Sequence, residues 1–136
     1  MKRPADQERL YLDAVLTTYS ALPGTPERPS RQDRRLAREL CLRGVPLRIV
    51  RTAFLLAVAR RTFRSGPPLP PVRTLHYFLP TIDEVLAISP DPSYVQYLAA
   101  RLQPLIADKE RLLAAAATSS DHRRHTRHNS ALSGRR

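Results

Sequence analysis

The chain has 136 residues, room for one modest hydrophobic core and therefore one domain. Its net charge of +11 rests on 21 Arg and only two Lys, which points to polyanions such as DNA, RNA or anionic lipid as partners. A lone cysteine excludes an internal disulfide framework, and no apolar run reaches the roughly 18 residues of a membrane span.

Residues 5–22 read as a first helix. Leu10, Ala14 and Leu22, with Tyr11, Val15 and Tyr19, recur at spacings of three and four and make one apolar face. Asp6 and Glu8 suit its positive N-terminal end. Pro23-Gly24 stops it, and a loop follows. Ser30 is a good N-cap with Asp33 three residues on, so a second helix runs over about 31–43. Leu36, Ala37, Leu40 and Cys41 form its inner side, and Arg31, Arg34, Arg35 and Arg38 lie along the other. Cys41 has no histidine placed to activate it and reads as a small apolar core residue. Gly44 takes the position just past the helix end, and Pro46 opens the next helix.

Leu47 to Phe63 is the most apolar stretch and is greasy on nearly every side. It predicts a central helix on which the other segments pack. Residues 31–63 thus form helix, Gly-Val-Pro turn, helix, which matches a helix-turn-helix in outline. A recognition helix needs a polar face for the major groove, whereas here only Arg48, Arg51, Thr52 and Leu55 form an outward strip. A structural αα-hairpin with phosphate-binding arginines fits the pattern better.

Residues 65–72, with four prolines, predict an extended strap across the domain. A helix then carries Leu75, Phe78, Leu79, Ile82, Val85 and Leu86, with Thr74 as a cap. Pro80 either kinks it or begins a fresh helix with Thr81 and Glu84 as a capping box. His76 and Tyr77 read as core by spacing, though beside an arginine they could stack on bases. Asp91-Pro92 starts a last helix with Tyr94, Leu98, Leu102, Leu105, Leu112 and Leu113 near one stripe, which Pro104 should kink or split. The tail 118–136 has only Ala131 and Leu132 as apolar residues and predicts a disordered basic segment. On such a segment His122, His125 and His128 lack the fixed geometry of a metal site. The expected architecture is all-α: a bundle of four to five helices in one domain, 1–117, around the central helix, with a basic tail.

The segment Thr74-Leu75-His76-Tyr77-Phe78-Leu79-Pro80-Thr81-Ile82-Asp83-Glu84 resembles one recurring in small helical regions of bacterial plasmid, phage and other mobile-element proteins. Several of those are replication-associated. There a Ser or Thr, Leu, x, Tyr-Phe, x, Pro pattern follows a basic helix and a linker, and the turn Arg43 to Leu47 and the pair Arg60-Arg61 are similar to what precedes it. The resemblance spans about residues 31–88 and implies a helical fold and a link to DNA, with no catalytic residues to carry over.

Charge is concentrated rather than spread. Between Arg28 and Arg64 eleven arginines face only Asp33 and Glu39, a surplus of nine. There is no Gly-rich phosphate loop, no metal-ligand spacing before the tail and no nucleophile with a base, so no enzyme, cofactor or small-molecule substrate is expected. Met1-Lys2-Arg3 leads into no apolar h-region, which predicts a cytoplasmic protein. The expected function is a DNA-binding accessory role, with Arg31, Arg34, Arg35, Arg38, Arg48 and Arg51 as phosphate contacts. The second reading is a protein–protein adaptor whose last helix packs on a partner and whose arginines meet an acidic surface.

Overall fold

The computed structural model describes residues 3–133, and their side chains as far as Thr118. Among the described residues all regular structure is helical: α1 (Pro4–Ala21), α2 (Arg31–Leu42), α3 (Leu47–Thr62), a 3-10 turn (Leu75–Phe78), α4 (Leu79–Ala87) and α5 (Pro92–Ser133). The chain is an all-α bundle, as its periodicity predicts.

The ends of α2 show how local sequence sets the elements. Ser30 Oγ accepts the Asp33 N–H at 3.1 Å, and Asp33 Oδ2 accepts the Ser30 N–H at 2.9 Å, a complete capping box. At the other end Gly44 has φ +73°, a conformation that only glycine adopts without strain. The Val45 N–H then reaches the Leu40 carbonyl and the Gly44 N–H that of Cys41, a Schellman closure. Asp33 does more than cap. Its Oδ1 accepts the buried Leu75 N–H at 2.9 Å and so ties α2 to the 3-10 turn.

α3 is the central helix. Ile49, Val50, Ala53, Phe54, Leu56, Ala57, Val58 and Ala59 are all buried, and α1, α4 and α5 pack on it. Its alanines let neighbours approach, while Phe54 meets Tyr19 of α1 and Phe78 of the 3-10 turn, with ring centroids 6.4 and 4.9 Å away. Such tilted and edge-on pairs add to plain area burial. α2 packs on α1 and the 3-10 turn instead. α2 and α3 share a turn but are not one of the main packed pairs, so the αα-hairpin expected from sequence is opened, with α1 against both. Tyr11 of α1 donates to the Val45 carbonyl at 2.8 Å and fixes the turn between them.

The proline-rich segment is a strap. Val72 is buried and its N–H donates to the Gly24 carbonyl at 2.7 Å, while Arg61 and Arg64 donate to the carbonyls of Pro70 and Pro67. Pro80 starts α4 afresh, which settles that alternative. The Thr81–Glu84 capping box does not form: Glu84 turns to Arg60 of α3, two bonds at 2.6 and 2.7 Å. Thr74 makes no side-chain cap either.

Pro104 lies inside α5 without ending it. The Ala100 carbonyl that it leaves without an amide partner belongs to an exposed residue, where water can serve. Only Leu98 and Leu102 of the predicted α5 stripe are fully buried; Tyr94, Leu105 and Leu112 are exposed, because the bundle offers no further helix to cover them. The expectation of a disordered basic tail falls almost wholly on 119–136, whose side chains lie outside the described residues, as does the histidine triplet.

Candidate nucleic-acid interface

Burial of Leu36, Ala37 and Leu40 turns Arg31, Arg34, Arg35 and Arg38 outward, and all four are exposed. They do not share one flank. Arg34 and Arg38 border a groove against α1 that also holds Glu8, Arg9 and Asp13. There Arg38 Nε lies 3.0 Å from Glu8 Oε1, so this predicted phosphate contact already has an acid partner. Arg35 faces the opposite groove, toward the 3-10 turn, with Gln32, Glu39 and His76. Arg48 lines a cleft between α3, α4 and the start of α5, beside Thr52, Val85 and Gln96. Arg51 stands exposed nearly one turn further along α3. The predicted outward strip of α3 is therefore real: Arg48 and Arg51 are exposed, Thr52 and Leu55 half-buried.

Five other cations of the basic segment serve the fold or stay uncommitted. Arg43 pairs with Asp83 at 3.6 Å and Arg60 with Glu84, each joining the α2–α3 region to α4. The Arg60 bonds hold the Glu84 carboxyl below its usual range. Arg61 and Arg64 pin the strap. Arg28 is exposed in the loop before α2 and, among the described residues, has no ion pair.

The sequence reading missed two features. Tyr77 and His76, expected in the core, are exposed, because a 3-10 turn sends only Leu75 and Phe78 inward. Tyr77 sits with Arg61, Arg73 and the strap around a shallow groove. Lys109 is the second. Its Nζ donates to the carbonyls of Leu22 and Thr25 and to Thr25 Oγ1, the last two at 2.8 and 2.6 Å. It fastens α5 to the loop after α1. Burial pushes its ammonium down to about 8, against the pull of Glu27. The one signal in sequence was that a chain which otherwise writes Arg places a Lys here. A compact three-donor head suits convergent carbonyls better than a planar fork.

No group of three or more His, Cys, Asp or Glu stands ready to hold a metal among the described residues, and no described helix is long and apolar enough to cross a membrane. The geometry offers exposed guanidinium groups on several flanks of a rigid bundle. Comparison with protein-family models, curated proteins and solved structures finds no match for the chain, so any function rests on these residues alone.

Proposed function

We propose that this is a non-enzymatic DNA-binding accessory protein, cytoplasmic and of a mobile genetic element, that grips duplex phosphates with exposed arginines. One observation carries the reading. Arg38, Arg43, Arg60, Arg61 and Arg64 each meet a carboxylate or carbonyl of the fold. Arg28, Arg31, Arg34, Arg35, Arg48 and Arg51 reach into water with no acid at ion-pair distance among the described residues. Such side chains add little to stability. A polyanion that pairs with them releases its condensed counterions. The arginine fork suits phosphate oxygens. Contacts of this kind position a duplex without reading its sequence, in keeping with an α3 that offers few polar groups to base edges.

A salt titration with duplex DNA tests it. About five phosphate contacts give a log–log slope of about −4 to −5. Changing Arg31, Arg34 and Arg35 together to Ala should flatten the slope by roughly two to three units and leave the melting temperature unchanged. The same change at Arg123, Arg124 and Arg127 separates the helical arginines from the C-terminal charges. Absence of duplex binding at low salt refutes the reading. A protein–protein adaptor would then stand in its place, a role supported by the exposed Ile88 just after α4 and by Tyr94, Tyr97, Leu105 and Leu112 of α5.

A further inference from the structure

The strap and the 3-10 turn enclose a groove that phosphate contacts leave unused. Its walls are Leu69, Pro70, Pro71 and the Tyr77 ring, and its cations are Arg61 and Arg73. No acid lines it, in contrast to the groove between α1 and α2, where Glu8 and Asp13 stand beside the arginines. Tyr77 is 43% exposed. The Arg61 guanidinium lies over the ring at 5.2 Å from its centroid, and the Phe78 ring meets it edge-on at 82°. The ring is thus held in place before any ligand arrives. The strap is held too, by Arg61 at Pro70 and by Val72 at Gly24, so little loop ordering opposes binding.

A bare phosphate wants donors on all sides, and an apolar peptide has no use for two guanidinium groups. A flat apolar wall with cations at its rim suits a planar aromatic group that carries an anion. We propose that this groove is a stacking site for an unpaired nucleobase, with Tyr77 as the platform on the ring face that Arg61 does not cover and Arg73 on the flanking phosphate. Bases inside a duplex are stacked and out of reach, so the ligand is a single strand or an extruded base. Thr74 borders both this groove and the next, where Arg35 and His76 stand. A strand leaving the slot therefore runs toward the arginines of α2. The inference rests on the reading that the chain binds DNA and adds single-stranded DNA to its ligands.

The probes are an oligothymidylate of about twelve nucleotides, the range that such grooves bind, an abasic oligomer of the same length, a duplex, and polyglutamate as competitor. Binding is followed by anisotropy. Tyr77→Ala should weaken oligothymidylate binding by roughly ten- to a hundredfold and Tyr77→Phe by less than about threefold, since the stacking face is kept. Neither change should move duplex affinity, and Tyr77→Ala, which loses the edge-on contact with Phe78, should lower the melting temperature by only a few degrees while Tyr77→Phe leaves it unchanged. The abasic oligomer should bind the native protein about as weakly as oligothymidylate binds Tyr77→Ala. Duplex binding without oligothymidylate binding overturns this site and leaves the duplex reading standing; absence of both removes the two together. An unchanged Tyr77→Ala, an equal loss in Tyr77→Phe, or competition by polyglutamate as effective as by the oligonucleotide also overturns it. Tyr77-dependent oligothymidylate binding with no arginine-dependent duplex binding keeps this site and removes the duplex reading.

Discussion

Asp33 is the position where one substitution should tell most about how the bundle holds together. Its carboxylate is 1% exposed and takes two backbone N–H groups from different parts of the chain, Ser30 and Leu75. Asp33→Ala removes both acceptors. Ser30 is exposed, so its N–H can turn to water and the loss there is about 1 kcal/mol, that of an ordinary cap. Leu75 is fully buried, and its N–H would be left without a partner, at about 2–3 kcal/mol. The sum, about 3–4 kcal/mol, is a large part of the stability of a small domain. At roughly 3–4 °C per kcal/mol for a chain of this size, the melting temperature should fall by roughly 10–15 °C. Ser30→Ala breaks only the cap and should cost about 1 kcal/mol. Asp33→Asn keeps one acceptor and should fall between the two. Thermal and urea unfolding followed by far-UV circular dichroism measure all three. If Asp33→Ala costs no more than Ser30→Ala, the bond to Leu75 contributes nothing and the account of how α2 holds the 3-10 turn is wrong.

Other expectations follow from buried groups. The Tyr19 hydroxyl is buried with no hydrogen-bond partner among the described residues, and burial followed by the nearby Asp33 charge raises its pKa. Tyr19→Phe should therefore be neutral or stabilise the protein, and a clear drop in melting temperature would show a partner for that hydroxyl. Phe54→Ala empties the centre of the aromatic cluster and should cost about 3–5 kcal/mol by urea unfolding; a loss below about 1 kcal/mol would mean that Phe54 is not central. Lys109 carries a pH dependence. Burial pushes its pKa in the folded protein down to about 8, below the ordinary lysine value of 10.5, so between those values the unfolded state binds more protons and stability must rise with pH. Relative to Lys109→Met, the native protein should gain stability from pH 8 to 10.5, and a fall over that window would show that the hydrogen bonds of the ammonium outweigh its desolvation.

Periodicity made the bundle legible. The run Leu47 to Phe63 had to be central because only a narrow polar strip was left to face water, and α3 indeed buries eight residues. Ser30 and Gly44 marked the ends of α2 because capping is local chemistry, readable within a few residues. What stayed hidden depends on partners distant in sequence. Asp33 looked like a helix cap alone, and Leu75 is 42 positions away. Glu84 looked like half of a capping box until α3 placed Arg60 beside it. Leu10 fell on the expected face of α1 but is exposed, while Leu16 is buried, since only contact with α3 fixes which edge of an apolar stripe lies innermost. Tyr77 was read as core because a spacing rule made for 3.6-residue turns was applied to a stretch that takes the tighter 3-10 form. The arginines named as candidate phosphate contacts are exposed, but a helix wheel, which sets Arg34 and Arg35 about 100° apart, cannot say which groove each one borders.

The arginine content itself has an indifferent explanation, a composition that writes Arg wherever a cation is tolerated. Drift of that kind would strew uncommitted arginines over every exposed surface. The distribution is otherwise. From residue 65 to 117 the chain has only three arginines. Arg101 lies 3.8 Å from the Phe63 ring centroid and Arg111 pairs with Asp108. The third, Arg73, borders the Tyr77 groove. On α1, Arg9 stands among Glu8 and Asp13. Arg28, Arg31, Arg34, Arg35, Arg48 and Arg51, on α2, its preceding loop and the first turns of α3, make up most of the described arginines that have no ion pair, carbonyl bond or ring contact, the others being Arg3, Arg9 and Arg73. Exposed arginines without a partner in the fold contribute little to the stability of the isolated protein. A polyanion lying against them would gain charge-assisted contacts without breaking any contact of the fold, which is why the arginine substitutions should act on the salt slope and leave the melting temperature alone.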